Sequence, residues 1–78
     1  MTEEAIRLVP AGRAVLTGGP ASLPRVVSLR DAALVDDERL IITHRGRNEH
    51  YRFTGSHERV DRQDAPVASW QYSTAVAE

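Results

Sequence analysis

The sequence predicts a small, mainly β protein: an antiparallel sheet of about five strands, curled into a barrel or arranged as a two-layer sandwich, with at most one short helical turn. Short runs rich in β-branched and aromatic residues recur along the chain, some alternate between apolar and polar positions, and Gly, Pro or Asn stands between them. Because 78 residues are too few for a second core, we expect one β domain over residues 13–78. Residues 1–12 are predicted to be an N-terminal tail or edge segment, in which residues 2–9 form either one helical turn or a short strand.

Two short strands are predicted in the first half of the chain, over residues 13–17 and 25–30. Between them, Gly18-Gly19-Pro20 reads as a tight turn, since Gly adopts positive φ and Pro ends a strand ladder. The acidic stretch 31–38 is compatible with a helical turn or with a loop, and we favour a turn at Asp36-Asp37.

A central hairpin is the clearest prediction. Residues 39–44 form a strand, and residues 45–48 form a turn in which Gly46 and Asn48 both tolerate positive φ. Residues 49–54 alternate strictly between the two faces, as a half-buried strand does.

The last part of the chain predicts one further strand. Gly55-Ser56 is predicted to turn the chain, residues 57–60 to pair briefly, and residues 61–66 to form a polar loop. Residues 67–76 alternate and form the last strand. Their alternation predicts that one face carries Ala68, Trp70, Tyr72, Thr74 and Val76.

Composition excludes several classes of protein. Ten basic residues, all Arg, nearly balance eleven acidic ones for a net charge of −1, which does not fit a protein that coats nucleic acid. There is no cysteine, hence no disulfide or thiolate metal site. We find no apolar run long enough to span a membrane and no secretory signal, so we expect a cytoplasmic location without membrane contact.

The central hairpin also carries the densest group of polar side chains, and these are the candidate binding residues: His44, Arg45, Arg47, Glu49, His50 and Arg52. Two histidines and a carboxylate are ligands suited to zinc or iron, so a divalent metal site with His57 as a further candidate is an alternative, as is acid–base catalysis. Because Glu49 and His50 are adjacent on a strand, their side chains point to opposite faces. We therefore favour histidines that make hairpin hydrogen bonds, and no cofactor is expected.

The arginines of residues 39–52 have two further interpretations. With Tyr51 nearby, they resemble a surface for single-stranded nucleic acid. The acidic run 36–38 next to them favours ion pairs within the chain, or with a protein partner, over nucleic acid.

Four large aromatic side chains complete the candidates: Tyr51, Phe53, Trp70 and Tyr72. A domain this small needs its aromatic residues in the core, which is the interpretation we favour. The alternative is that they line a pocket for a small ligand.

Residues 15–20, 42–51 and 66–72, with the ending 74–78, together resemble a family of short actinobacterial proteins of unknown function. Its pattern is a Val-Leu-x-Gly-Gly-Pro start, a His-x-Gly-x-x-Glu-His-aromatic hairpin and a Trp-containing strand that ends in Ala-Glu. The residues that fit the hairpin motif are His44, Gly46, Glu49, His50 and Tyr51. This chain has Thr43 where the family commonly has Pro, and Asn48 where it often has an aromatic residue.

The resemblance implies an accessory role, because members of that family look like proteins encoded beside specialised-metabolite genes. Our leading hypothesis is a non-enzymatic binding protein that contacts a protein partner or a second copy of itself through residues 44–53. A homodimer is expected because the core is small and a sheet edge can pair.

Overall fold

The computed structural model describes residues 12–76 and shows a six-stranded sheet curled into a half-barrel. This confirms the predicted mainly β fold, with one strand more than expected. The strands are β1 (Arg13–Thr17), β2 (Val26–Ser28), β3 (Ala33–Leu34), β4 (Arg39–His44), β5 (Arg47–Val60) and β6 (Gln63–Ala75). The alternatives for residues 2–9 lie outside the described residues.

The strand order is β2-β1-β6-β5-β4-β3. Strands β3 to β6 form an antiparallel meander, and β2 is antiparallel to β1. Strand β1, however, pairs in parallel with β6, with Val15 beside Val67 and Leu16 beside Ala68. The expectation of a purely antiparallel sheet is therefore wrong at this one junction, where the chain closes the sheet over a long separation.

Of the three turns of the meander, the two that join β4 to β5 and β5 to β6 have only two residues. Arg45 and Gly46 join β4 to β5 with φ values of 54° and 78°, and Asp61 and Arg62 join β5 to β6 with 51° and 70°. Two successive positive φ values match the right-handed twist of the flanking strands. The predicted turn over 45–48 and the predicted loop over 61–66 are thus too long, because the strands continue up to the turns.

Strand β5 continues through the predicted turn at Gly55-Ser56. Gly55 has a φ of 92° and lies where the register between β5 and β6 shifts, between Phe53 and His57. A positive φ at Gly therefore marks a bulge here and not a reversal of the chain. The predicted turn at this position is wrong, whereas the pairing of residues 57–60 is confirmed and extends to the hairpin turn.

The acidic stretch 31–38 contains more secondary structure than the predicted helical turn or loop. A 3-10 turn over Leu29–Asp31 ends the short β2, and β3 follows it. The favoured turn at Asp36 is confirmed, since its carboxylate accepts hydrogen bonds from the backbone N–H groups of Glu38 and Arg39 at 2.8 and 3.0 Å. This local capping reverses the chain into β4.

One face of the curled sheet, which we call the inner face, carries the hydrophobic core. Its buried members are Leu16, Leu40, Ile42, Tyr51 and Ala68. The connection from β1 to β3 covers them with partly buried Leu23, Val27, Leu29 and Ala32. The opposite, outer face of β4, β5 and β6 has no second layer within residues 12–76. Within the same residues no helix is long and apolar enough to cross a membrane.

Candidate functional site

The predicted hairpin forms, and its register decides which polar residues lie together. His44 pairs with Arg47, Ile42 with Glu49, and Ile41 with His50. Since side chains alternate along a strand, His44, Arg47 and Glu49 belong to the inner face, whereas His50 and Arg52 belong to the outer face. The six candidate binding residues are therefore divided between two surfaces, with Arg45 exposed in the turn itself.

The three histidines lie in separate environments. His44 Nε2 is 2.8 Å from Ser22 Oγ on the inner side, and His50 Nε2 is 2.9 Å from Thr74 Oγ1 on the outer side. His57 is exposed and lies in the far half of β5, opposite Pro66. In the described part of the chain, no three His, Asp or Glu side chains gather as metal ligands. This geometry gives the metal alternative no support.

Glu49 is the one buried charged residue among residues 12–76, with 3 % of its surface exposed. Its Oε1 accepts a hydrogen bond from Trp70 Nε1 at 2.9 Å, and its Oε2 accepts one from Ser73 Oγ at 3.0 Å. Ser73 Oγ in turn accepts from Arg47 Nε at 2.7 Å. Each carboxylate oxygen therefore has a hydrogen-bond donor, and the carboxylate links β5 to β6. Its burial keeps it from the contact with a substrate that an acid–base catalyst needs.

Beside this network, the Gly-Gly-Pro turn packs directly on the aromatic core. Tyr51 Oη donates a hydrogen bond to the carbonyl oxygen of Gly18 at 3.2 Å. Burial, together with the negative charge of Glu49, raises the pKa of Tyr51. A Cβ on Gly19 would overlap Tyr51 Oη and would lie 2.9 Å from Trp70 Cδ1. The tight turn at residues 18–20 is thus confirmed, and it has a packing role that its composition does not reveal.

A second irregularity of the β5–β6 ladder determines which aromatic side chain lies on the outer face. Tyr51 pairs with Trp70 but His50 pairs with Tyr72, so Gln71 is an extra residue. After Gln71, the alternation of the β6 side chains between the two faces of the sheet is therefore shifted by one residue. The predicted common face of Trp70 and Tyr72 is therefore wrong: Trp70 lies on the inner face beside its register partner Tyr51, and Tyr72 lies on the outer face, 52 % exposed. Trp70 is itself 38 % exposed, so the prediction that it is buried in the core is wrong.

Tyr72 stacks on His50, with ring centroids 4.3 Å apart and an angle of 14° between the ring planes. Beside this pair lies a hollow of about 270 Å³, which we call the outer groove. Its lining residues are Val35, Arg39, Leu40, Ile41, His50, Tyr51, Arg52, Gln71 and Tyr72.

Two arginines stand directly opposite each other at the outer groove. Arg39 and Arg52 are register partners, an arrangement of like charges that destabilises a sheet unless it is compensated. Each has its own carboxylate from the acidic bend: Arg39 Nη2 lies 2.8 Å from Asp36 Oδ2, and Arg52 Nη2 lies 2.8 Å from Glu38 Oε1. The hydrogen bond from Arg39 lowers the pKa of Asp36. Ion pairing with the acidic run is thus confirmed for these two arginines.

The four aromatic residues do not share a pocket. Tyr51 is buried and Phe53 packs against the core, as predicted, but Tyr72 belongs to the outer groove. A second, open hollow of about 290 Å³ lies between the acidic bend and the bulge, lined by Asp37, Phe53, Gly55, Ser56, His57 and Pro66. The predicted ligand pocket of four aromatic side chains is therefore not formed by the described residues.

Sequence reasoning did not single out Val35, Ile41 and Gln71 for the outer groove. Because residues two apart on a strand share a face, the polar residues Arg39 and Thr43 are a signal that places Ile41 on the outer face. Gln71 has no such signal, because nothing in the local sequence marks an extra residue in a strand.

Fold and site together define a small, single-sheet β protein with a structured outer groove beside an exposed aromatic pair. Residues 10–78 match a protein family described as a family of unknown function (DUF5988), and the chain belongs to it. No curated protein and no solved structure matches the chain.

Proposed function

We propose that this protein is a non-enzymatic binding protein whose outer groove contacts a protein partner. The observation that carries the proposal is the half-exposed ring of Tyr72, stacked on His50 next to two arginines. Tyr and Arg are enriched among the residues that dominate the energy of protein interfaces. A partner side chain that enters the groove would meet an aromatic face, aliphatic carbons and guanidinium groups together.

The contacts around Tyr72 hold the surface ready for binding. His50 stacks on the ring and is itself within hydrogen-bond distance of Thr74, so the aromatic pair is ordered before a partner arrives. Ordering side chains on association costs about 0.5–1.5 kcal/mol for each flexible side chain. A pair that is already ordered avoids much of that cost.

The groove has room for a side chain of a protein partner. With about 270 Å³ it lies near the lower end of the range of small-molecule pockets, which begin at about 300 Å³. It is suited to one or two side chains of a larger surface. His50 and Arg52 bring the central hairpin into this contact, and Arg45 extends it at the turn with a charge that can form hydrogen-bonded ion pairs.

On this proposal the protein has an accessory role in the cytoplasm. The resemblance of the hairpin and Trp-strand motifs to short actinobacterial proteins supports a partner from specialised metabolism. We propose neither nucleic acid nor a membrane as a binding partner.

A photo-cross-linking experiment in the producing cell tests the contact. The photoreactive amino acid p-benzoylphenylalanine replaces Tyr72, and in a control chain it replaces Ala75, which is exposed on the inner side of the same strand. We expect one defined protein adduct at position 72, identified by its cross-linked peptide and lost when Val35→Glu is added. No protein adduct at position 72, or the same adduct from position 75, would refute the proposal.

A further inference from the structure

The charges around the outer groove are mixed in sign and nearly balanced. Arg39 and Arg52 stand against the three acidic residues of the bend 36–38, of which Asp37 makes no ion pair within residues 12–76. A partner of one charge sign would be repelled by part of such a surface as strongly as it is attracted by the rest. A second copy rotated by half a turn can place its acidic bend against these arginines and its arginines against this acidic bend.

The apolar part of this surface also lacks a cover. Val35 is 48 % exposed and lines the groove beside Tyr72. Among residues 12–76, the fully buried side chains of substantial size are only Tyr51, Leu40 and Val15. A domain with so small a core commonly gains stability by association.

Association through the sheet edges is disfavoured by their length. The two edge strands, β2 and β3, have three and two residues, and very short edge strands are one way in which proteins prevent edge pairing. The outer face offers a larger surface than either edge strand, since three neighbouring strands contribute to it.

We propose that the occupant of the outer groove is a second copy of this chain, related to the first by a two-fold axis. This inference rests on the proposed function and names its partner. Tyr72 of each copy packs against the groove of the other, and the arginines of each copy face the acidic bend of the other. The contact is isologous, so it closes at a dimer and does not extend into fibres.

Sedimentation equilibrium of the purified chain tests this inference over about 1–500 µM, a range in which mass action separates a weak dimer from a monomer. We expect a mass that rises with concentration from that of the 8.6 kDa chain to twice that value. Tyr72→Glu would remove the aromatic ring and bury a carboxylate in the contact, next to arginines that already have carboxylate partners in their own chain. It is expected to raise the dimer dissociation constant at least about thirtyfold. Ala75→Glu, on the inner side of the same strand, should leave the constant unchanged.

Circular dichroism checks that each variant folds, and Val35→Glu serves as the second test should Tyr72→Glu unfold. A wild-type mass of 8.6 kDa at every concentration, or a dimer that both outer-face variants leave intact, would overturn the inference. A monomer in this experiment together with a defined foreign adduct at position 72 would remove the second copy as partner and leave the proposed function standing. A monomer without any adduct would remove both.

Discussion

Gly19 packs closely against Tyr51 and Trp70, and Gly19→Ala measures the strength of that packing. The substitution has two costs: an Ala at a φ of 89° is strained by about 1–2 kcal/mol, and its Cβ would overlap Tyr51 Oη and crowd Trp70 Cδ1. Overpacking of this kind typically costs a further 1–3 kcal/mol or so. Together they amount to about 2–5 kcal/mol, reduced by about 0.4–1 kcal/mol because Ala restricts the unfolded chain. For a chain of this length the whole stability is about 4–12 kcal/mol.

Gly46→Ala provides a matched control for the backbone part of that cost. Gly46 has a φ of 78°, close to that of Gly19, but an added Cβ meets nothing within 4 Å. Urea unfolding followed by circular dichroism should therefore show Gly19→Ala to be less stable than Gly46→Ala by about 1–3 kcal/mol. Equal losses in the two variants would show that the turn does not press on the aromatic core, and would refute the packing described for residues 18–20.

Three further predictions concern the ionisable groups. Glu49→Gln turns an N–H₂ group toward one of the two groups that donate hydrogen bonds to the Glu49 carboxylate. Urea unfolding should therefore show that the free energy of unfolding falls by about 1–3 kcal/mol. Unchanged stability would contradict the buried network. Neighbouring arginines lower the pKa of Asp36 and Glu58 through hydrogen bonds, so their stabilisation is complete above the ordinary carboxyl pKa of about 4 and disappears as the pH falls through the lower folded values. The double variant Asp36→Asn, Glu58→Gln should thus lose less Tm between neutral and acid pH than the wild type, and an equal loss would argue against these pairs. Burial raises the pKa of Tyr51. The stabilisation by the neutral Tyr51 hydroxyl is therefore complete below about pH 10 and disappears as the pH rises through the folded pKa. Tyr51→Phe should lessen the alkaline loss of Tm, and an unchanged loss would contradict this.

The local pattern of the sequence was enough to predict the central hairpin. Residues 39–44 are rich in β-branched and apolar residues, a glycine turn follows, and residues 49–54 alternate between the two faces; the structure has the expected strands there. Period-two alternation is a direct consequence of strand geometry, so it is readable without knowledge of the rest of the fold. The same reasoning separated Glu49 from His50, which the register confirms.

The position of Tyr72 could not be obtained in this way. Residues 67–76 alternate without interruption in the sequence, yet the extra residue at Gln71 places the two ends of the strand in opposite phase. A bulge arises from the fit between two strands and has little local signature. The outer groove depends on that phase change, since it brings Tyr72 next to His50, and it is therefore a property of the assembled sheet.

The parallel contact between β1 and β6 could not be predicted from the local sequence either. It joins Val15 to Val67 across most of the chain, and no feature of residues 13–17 specifies a partner so far away. The predicted strand was correct at that position, but its neighbour and direction depend on how the meander curls.

That same junction sets the order in which the protein can assemble. Hairpins β4–β5 and β5–β6 close over two-residue turns, whereas β1 must find β6 across about fifty residues. Contacts between distant segments form slowly because the chain entropy between them is lost before they are made. We therefore expect the two hairpins to form before β1 docks beside β6, and the docking of β1 to complete the burial of Ala68, the register partner of Leu16.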